Sequence, residues 1–474
     1  LLSFLPSVFL ACSDPELRAE ESLSKASAGG VAAISFADQI EPIFRRNCYG
    51  CHQGAKQLGA YRMTDFAAMV KGGESGERAI VPGKPEASYL LSQITAVDGN
   101  AEMPKPPAKP LSEVEVELVH RWISEGAIDD SPIDPGMQYS AEDPPRYSGA
   151  PSVPSIDVSP DGKQIAVAGY HEVLLMDAHS GNVQRRLVGM SPRINTVSYC
   201  PDGTRLAAVG GTPGVEGEVQ IWNPKSGELE QSVAFTFDTL SGAGWAPDSS
   251  KLAFGASDNV VRAIDAASGQ QVLFQGAHDD WIRDVAFTPD GKHLVSVGRD
   301  MSCKLTEVAT ERFVDNITSI TPGALSGGLS SVAVHPTRNE IVIGGADGVA
   351  KVYRIFRETA RKIGDDANLI RTMPEMNGRI FRVAISDDAT RIAAVATING
   401  KSEIRVWSYD FDGTLTDELK KILAKRVADR SADDKKKVDA YRKSETHQIS
   451  SGNIDHAAYA RPLPVREGRQ QALR

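Results

Sequence analysis

Six stretches of this chain repeat one another: "SPDGKQIAVAG", "CPDGTRLAAVG", "APDSSKLAFGA", "TPDGKHLVSVG", "HPTRNEIVIGG" and a weaker "SDDATRIAAVA". They begin at Ser159, Cys200, Ala246, Thr288, His335 and Ser386, so the intervals are 41, 46, 42, 47 and 51 residues. Each copy opens on a turn and continues into an apolar strand. A second strand follows: "VLLMD", "VQIWN", "VRAID", "CKLTE", "AKVYR" or "IRVWS". Units of this length, built of several short strands, cannot bury both of their faces alone and gain a core only by stacking on one another.

Residues 277–300, "AHDDWIRDVAFTPDGKHLVSVGRD", carry the fullest form of the unit. They resemble the WD-repeat β-propeller, with His278, Ser296 and Asp300 in the positions of that family's structural hydrogen-bond network and Thr306 where its tryptophan usually stands. The resemblance implies an all-β propeller over residues 151–410, in which these polar residues are structural. It also implies a protein-docking role. Six blades are visible. Residues 448–474 begin like another and lose the pattern, which suggests a truncated last blade and a seventh in a longer parent. Cys200 and Cys303 read as small buried side chains.

Composition narrows the function. Net charge is −10, with acidic and basic residues interspersed, so a nucleic-acid-binding role has no electrostatic support. Five cysteines in 474 residues are too few for a disulfide scaffold. No run of eighteen apolar residues provides a membrane span.

Ahead of the repeats, "RNCYGCHQG" places two cysteines three apart with a histidine directly after the second. Such a motif serves as a metal knuckle, a redox dithiol or a handle for covalent haem. A zinc site is short of ligands, and a thioredoxin-type dithiol needs an α/β frame that the following "HQGAKQLGAYRMTDF" does not supply. Haem c uses every residue: Cys48 and Cys51 form thioethers with the vinyl groups, and His52 ligates iron. Phe36, Ile40, Ile43 and Phe44 make one apolar helix face leading into Cys48. Downstream, Met103 lies in a proline-rich loop where a core methionine has little to pack on, which suits a distal thioether ligand. A helix follows, with Ser112 and Glu115 as a capping box, Gly126 at its far end, and Val114, Leu118, Val119, Trp122 and Ile123 as its buried face. Met63 and Met69 are rival ligands, and packing is the expected role of Met63.

"IEPIFRRNCYGCHQG", "YRMTDFAAMVKGGESG", "AIVPGKPEASYLL" and "MPKPPAKPLSEVEVELVHRWISEGA" occur in that order over residues 35–127. Together they resemble the planctomycete-type cytochrome c domain. That resemblance implies a small all-α domain holding haem c and its iron, with His52 as proximal and Met103 as distal ligand. The chain then reads as an exported electron-transfer protein with a redox protein partner. The alternative is a haem enzyme whose propeller holds a substrate or second cofactor, but His171, His179, His278, His293 and His335 share no position in the repeat.

The first residues, "LLSFLPSVFLAC", read as the remnant of a secretory signal, with Ala11 and Cys12 resembling a lipoprotein cleavage site and Cys12 a candidate lipid anchor on a periplasmic or cell-envelope protein. Expected boundaries are therefore signal remnant and tether 1–32, cytochrome domain 33–130, Pro-rich linker 131–150, propeller 151–410, charged helix 411–447 and an irregular end 448–474. "DFDGT" at 410–414 mimics a phosphatase nucleophile motif, with Asp410 and Asp412 as its carboxylates. The strand before it belongs to a blade, so it reads as an acidic turn.

Overall fold

The computed structural model describes residues 33–455, except 107, 132–138, 148–151, 320–324, 361, 363–364, 411–415, 426–428 and 446–447. Cys12 and the expected signal remnant lie outside the described residues. The chain forms two units: residues up to Cys48 together with Gly59–Pro135, and Tyr49–Leu58 together with the chain from Gly136 onward.

The first unit is helical. A π-helical turn, Phe36–Ile40, is capped by Ser35 and runs into α1, Glu41–Asn47. Its predicted face forms: Phe36, Ile40, Ile43 and Phe44 are all buried. Helices α2 (Phe66–Lys71), α3 (Tyr89–Ile94) and α4 (Glu113–Ser124) follow. The capping box of α4 is present, with the Ser112 hydroxyl accepting from the Glu115 N–H and the Glu115 carboxylate accepting from the Ser112 N–H. Val119, Trp122 and Ile123 are buried as expected, whereas Val114 is exposed because it lies in the first turn, ahead of the packed stretch. Trp122 stacks on Phe36 at 5.3 Å and meets the edges of Phe44 and Phe66. Each fully buried side chain of this kind stabilises the fold by about 1.5–3 kcal/mol.

The second unit contains six four-stranded antiparallel sheets, each a blade of consecutive strands. Blades 1 to 6 span residues 156–188, 193–236, 240–275, 282–316, 329–372 and 379–455. Their first strands pack on one another and so lie innermost: Ile156–Val158, Arg193–Tyr199, Leu240–Trp245, Ile282–Phe287, Leu329–Val334 and Arg379–Ile385. The turn after each is held by an aspartate side chain that accepts from the N–H two residues on: Asp161, Asp202, Asp248, Asp290 and Asp388. Blade 5 has His335 instead, and its Nδ1 accepts from the N–H groups of Thr337 and Arg338 at 3.1 and 2.9 Å. The imidazole does there what a carboxylate does elsewhere.

Among the described residues, five apolar clusters cement the blades, each joining two consecutive ones. Between blades 1 and 2 the cluster takes Ala166, Ala168, Val173 and Leu175 from one side and Val197, Tyr199, Leu206 and Trp222 from the other. Similar clusters join 2 to 3, 3 to 4, 4 to 5 and 5 to 6. Among the described residues, none joins 6 to 1.

The charged segment contains two helices rather than one. α5 (Asp417–Ala424) and α6 (Ala432–Glu445) are inserted before the last strand of blade 6 and joined by Lys437–Glu418 and Lys425–Asp434 ion pairs. Ser431 breaks the continuity by capping α6 through the Asp434 N–H. Gln448–Asp455 then pairs with Lys401–Ser408 and completes blade 6. The described residues hold no seventh blade.

Candidate functional site

Cys48 closes α1, its N–H donating to the Phe44 carbonyl at 2.7 Å. Its thiol is partly exposed and that of Cys51 is exposed, and neither is in a disulfide. Cys200 and Cys303 are fully buried in blades, as expected, and burial pushes the Cys303 thiol up. Two cysteines are thus accessible, one partly and one fully, and two are sealed. His52 is half-buried in a two-residue ladder, paired with Gln57 while Gln53 pairs with Lys56.

Met63 and Met69 are both core residues, with 2% and 0% of their surface exposed. Met103 is only half-buried, in a loop anchored by its N–H donating to the Gln93 carbonyl at 2.8 Å, and its bond to Pro104 is cis. Of the three methionines singled out in the sequence, Met103 has the most accessible thioether.

Tyr61 lies near Cys48, and burial first, then the thiol, pushes its phenol up. Its hydroxyl donates to the Met69 carbonyl at 2.9 Å. The next residue, Arg62, has a buried Nε with no hydrogen-bond partner among the described residues. An unsatisfied buried guanidinium nitrogen costs free energy unless an acceptor reaches it. Thiols, an imidazole, a thioether and a guanidinium are the donor types that covalent haem and its carboxylates call for, with Cys48, Arg62 and Met103 in the first unit and Cys51 and His52 in the second.

A network not evident in the sequence backs the motif within the second unit. The Gln53 side chain, next to His52, is buried and donates to Ser232 Oγ at 3.0 Å. Ser232 and Ser191 donate to the two carboxylate oxygens of Glu218, and Gln220 adds a third bond at 2.8 Å. Glu218 is buried, and desolvation first, then the like charge of Glu216, raises its pKa. A Cβ on Gly50 would stand 2.2 Å from the Ser232 carbonyl oxygen, so only glycine fits between the cysteines at that point. The sole sequence hint was a pair of acids, Glu216 and Glu218, on an otherwise uncharged strand.

His278 is placed as the repeat predicts, with Nδ1 2.9 Å from Asp300 and Nε2 2.7 Å from Ser296. The other propeller histidines occupy unrelated positions. Asp410 is engaged by Arg338 at 2.8 and 3.2 Å, which holds its carboxyl below the ordinary range. Asp412 lies outside the described residues.

The described chain thus comprises a small helical unit and a second unit that holds a six-bladed propeller. Residues 48–107 match the family model described as planctomycete cytochrome C, and residues 269–306 match the WD domain, G-beta repeat. Among curated proteins, the chain is 24% identical to a WD repeat-containing protein 26 homolog of Arabidopsis thaliana, over 43% of this chain and 35% of that protein. It is 28% identical to WD repeat-containing protein SL1-17 of Schistosoma mansoni, over 34% and 52%. Eukaryotic translation initiation factor 3 subunit I of Emericella nidulans is 25% identical over 44% and 63%. The chain therefore spans between about a third and just under two thirds of these relatives.

Proposed function

We propose that this chain is an exported c-type cytochrome that passes single electrons and uses its propeller to dock a protein redox partner. The observation that carries this reading is the C-x-x-C-H segment, with neither of its thiols in a disulfide, inside a region that matches a cytochrome c family. Cys48 and Cys51 would hold the porphyrin covalently, and His52 and Met103 would be the axial ligands. Bound haem would supply a one-electron iron couple. The protein's own task is to hold the imidazole still and limit solvent. Gly50 lets the loop seat on blade 2, Gln53 ties it to Ser232, and Arg62 offers a charge for a haem carboxylate. A thioether sixth ligand raises the reduction potential relative to a second imidazole. Cys12 remains the proposed lipid attachment. Among the described residues no helix is long and apolar enough to cross a membrane.

The test is to express the full chain in a host that attaches haem c and to examine its haem. The expected product keeps its haem through acidic solvent extraction and loses it in the Cys48→Ala/Cys51→Ala double variant. The oxidised protein should show the weak far-red sulfur-to-iron band, absent in Met103→Ala, whose potential should also fall. Haem that is extractable, or never acquired, overturns the reading.

A further inference from the structure

The most unusual charge arrangement in the propeller lies at one end of its central opening. In a ring of antiparallel blades, all first strands begin at the same end. Arg193 and Arg379 are the first residues of the innermost strands of blades 2 and 6, and Arg283 is the second of blade 4. Arginines thus stand at the rim on alternate blades. Arg299 joins them from the end of the neighbouring strand, its N–H donating to the Trp281 carbonyl at 2.9 Å. All four side chains are exposed. Desolvation, and after it the like charges of Arg299, Arg379 and Arg193, hold the Arg283 guanidinium below its ordinary pKa.

Local acids do not neutralise this group. Asp258, Asp300, Asp347 and Glu403, at the same end, each have a cation of their own in Arg262, Lys304, Lys351 and Arg405. Asp280 is 3.5 Å from Arg299. Among the described residues, Arg193, Arg283 and Arg379 have no carboxylate within ion-pair distance, although the whole chain carries a net charge of −10. Two large aromatic side chains sit among them. Trp281 is 41% exposed and lies under the Arg299 guanidinium at 4.9 Å, and Phe381 is 51% exposed. Arg379 and Phe381 also share a recess of about 500 Å³ with Ile398, Glu375 and Asp347. Arginine beside exposed aromatic surface is the composition of energetic centres in protein interfaces.

We propose that this end of the propeller docks an acidic segment of a partner protein, with Arg193, Arg283 and Arg379 receiving its carboxylates and Trp281 and Phe381 covering its apolar side chains. The inference rests on the docking role proposed above and adds to it a face and a chemistry. A protein segment suits the site better than a nucleic acid, because the cations are few, central and interleaved with apolar surface. The acidic remainder of the chain would repel an extended polyanion.

The test uses the full chain and a fluorescein-labelled hexaglutamate peptide, followed by anisotropy at low salt. Hexaglutamate should bind more tightly than hexalysine and weaken as salt is raised. The Arg193→Ser/Arg283→Ser/Arg379→Ser variant should lose at least about tenfold in affinity. A control triple at the opposite end, Lys163→Ser/Lys292→Ser/Arg391→Ser, should bind as wild type, with both variants matched in thermal unfolding. Equal loss in the two triples, or no preference for hexaglutamate, overturns the proposal. So does an oligothymidylate that displaces the peptide at lower concentration than unlabelled hexaglutamate. Because haem attachment is read separately, these failures would leave the electron-transfer reading standing.

Discussion

Blades 1 and 2 are built from the same repeat, yet one is finished and the other is not. Aligned on their turns, Ile156 corresponds to Val197 and Val158 to Tyr199. Ile156 and Val158 are 62% and 51% exposed, whereas Val197 and Tyr199 are 2% and 7% exposed. Ile165, Val167 and Met176 continue the same apolar face of blade 1 and are only half-buried, while their counterparts Leu206, Ala208 and Trp222 are buried against blade 1. In blade 6, at the other end of the series, Ala393, Val395, Ile404 and Val406 are half-buried too. Burial in a repeat is therefore a property of the neighbour, and an identical apolar pattern stabilises only where another blade covers it.

The largest effect should come from charging one face at a time. Val197→Lys places an unpaired ammonium between blades 1 and 2 and should cost more than about 3 kcal/mol, read as a lowered urea midpoint. Ile156→Lys should stay within about 0.5 kcal/mol of wild type. Equal costs would mean that the first blade is covered in solution. Truncation should show a smaller contrast: Leu206→Ala should cost about 2–5 kcal/mol, and Ile165→Ala less than half as much.

The subtlest contrast concerns a carboxylate at one position of the repeat. Glu172 in blade 1 and Glu218 in blade 2 correspond, and burial raises both pKa values. Glu172 keeps a cation, Arg186 at 3.3 Å, and a Tyr147 hydroxyl at 2.8 Å. Among the described residues, Glu218 has only neutral donors. With a folded pKa above the unfolded value of about 4.3, each group favours folding most at low pH and loses that contribution as pH rises toward the folded pKa. Glu218→Gln should therefore gain stability relative to wild type as pH is raised from 4 to 7 in thermal melts. Glu172→Gln should gain less, because Arg186 loses its partner. The same shift in both would remove the distinction between the blades.

What the sequence revealed follows from how far apart the interacting residues are. The aspartate turns, the second strands and the Ser112 capping box are local, so their residue types announce them. The outer strand of blade 1, "VQRRLV", runs from exposed to buried along its length and has no alternation to read, and Gln448–Asp455 reads from the sequence as the opening of a further blade instead of the strand that closes blade 6. At the candidate site, "CYGCHQG" is legible because the proposed haem attachment uses residues adjacent in the chain. The Gln53–Ser232–Glu218 connection spans 179 residues between its first two members, and nothing near Gln53 predicts it. Val114 was misplaced because periodicity identifies a helix face without saying where along the helix packing starts.

The pairing of apolar clusters between successive blades also imposes an order on synthesis. A blade leaving the ribosome has its backbone bonds but only part of its core, and its trailing face stays open until roughly forty more residues, a few seconds of translation, bring the next. The nascent propeller would thus carry one sticky apolar surface that moves from blade to blade as the chain lengthens, and a pause at any turn would hold that surface open to chaperones.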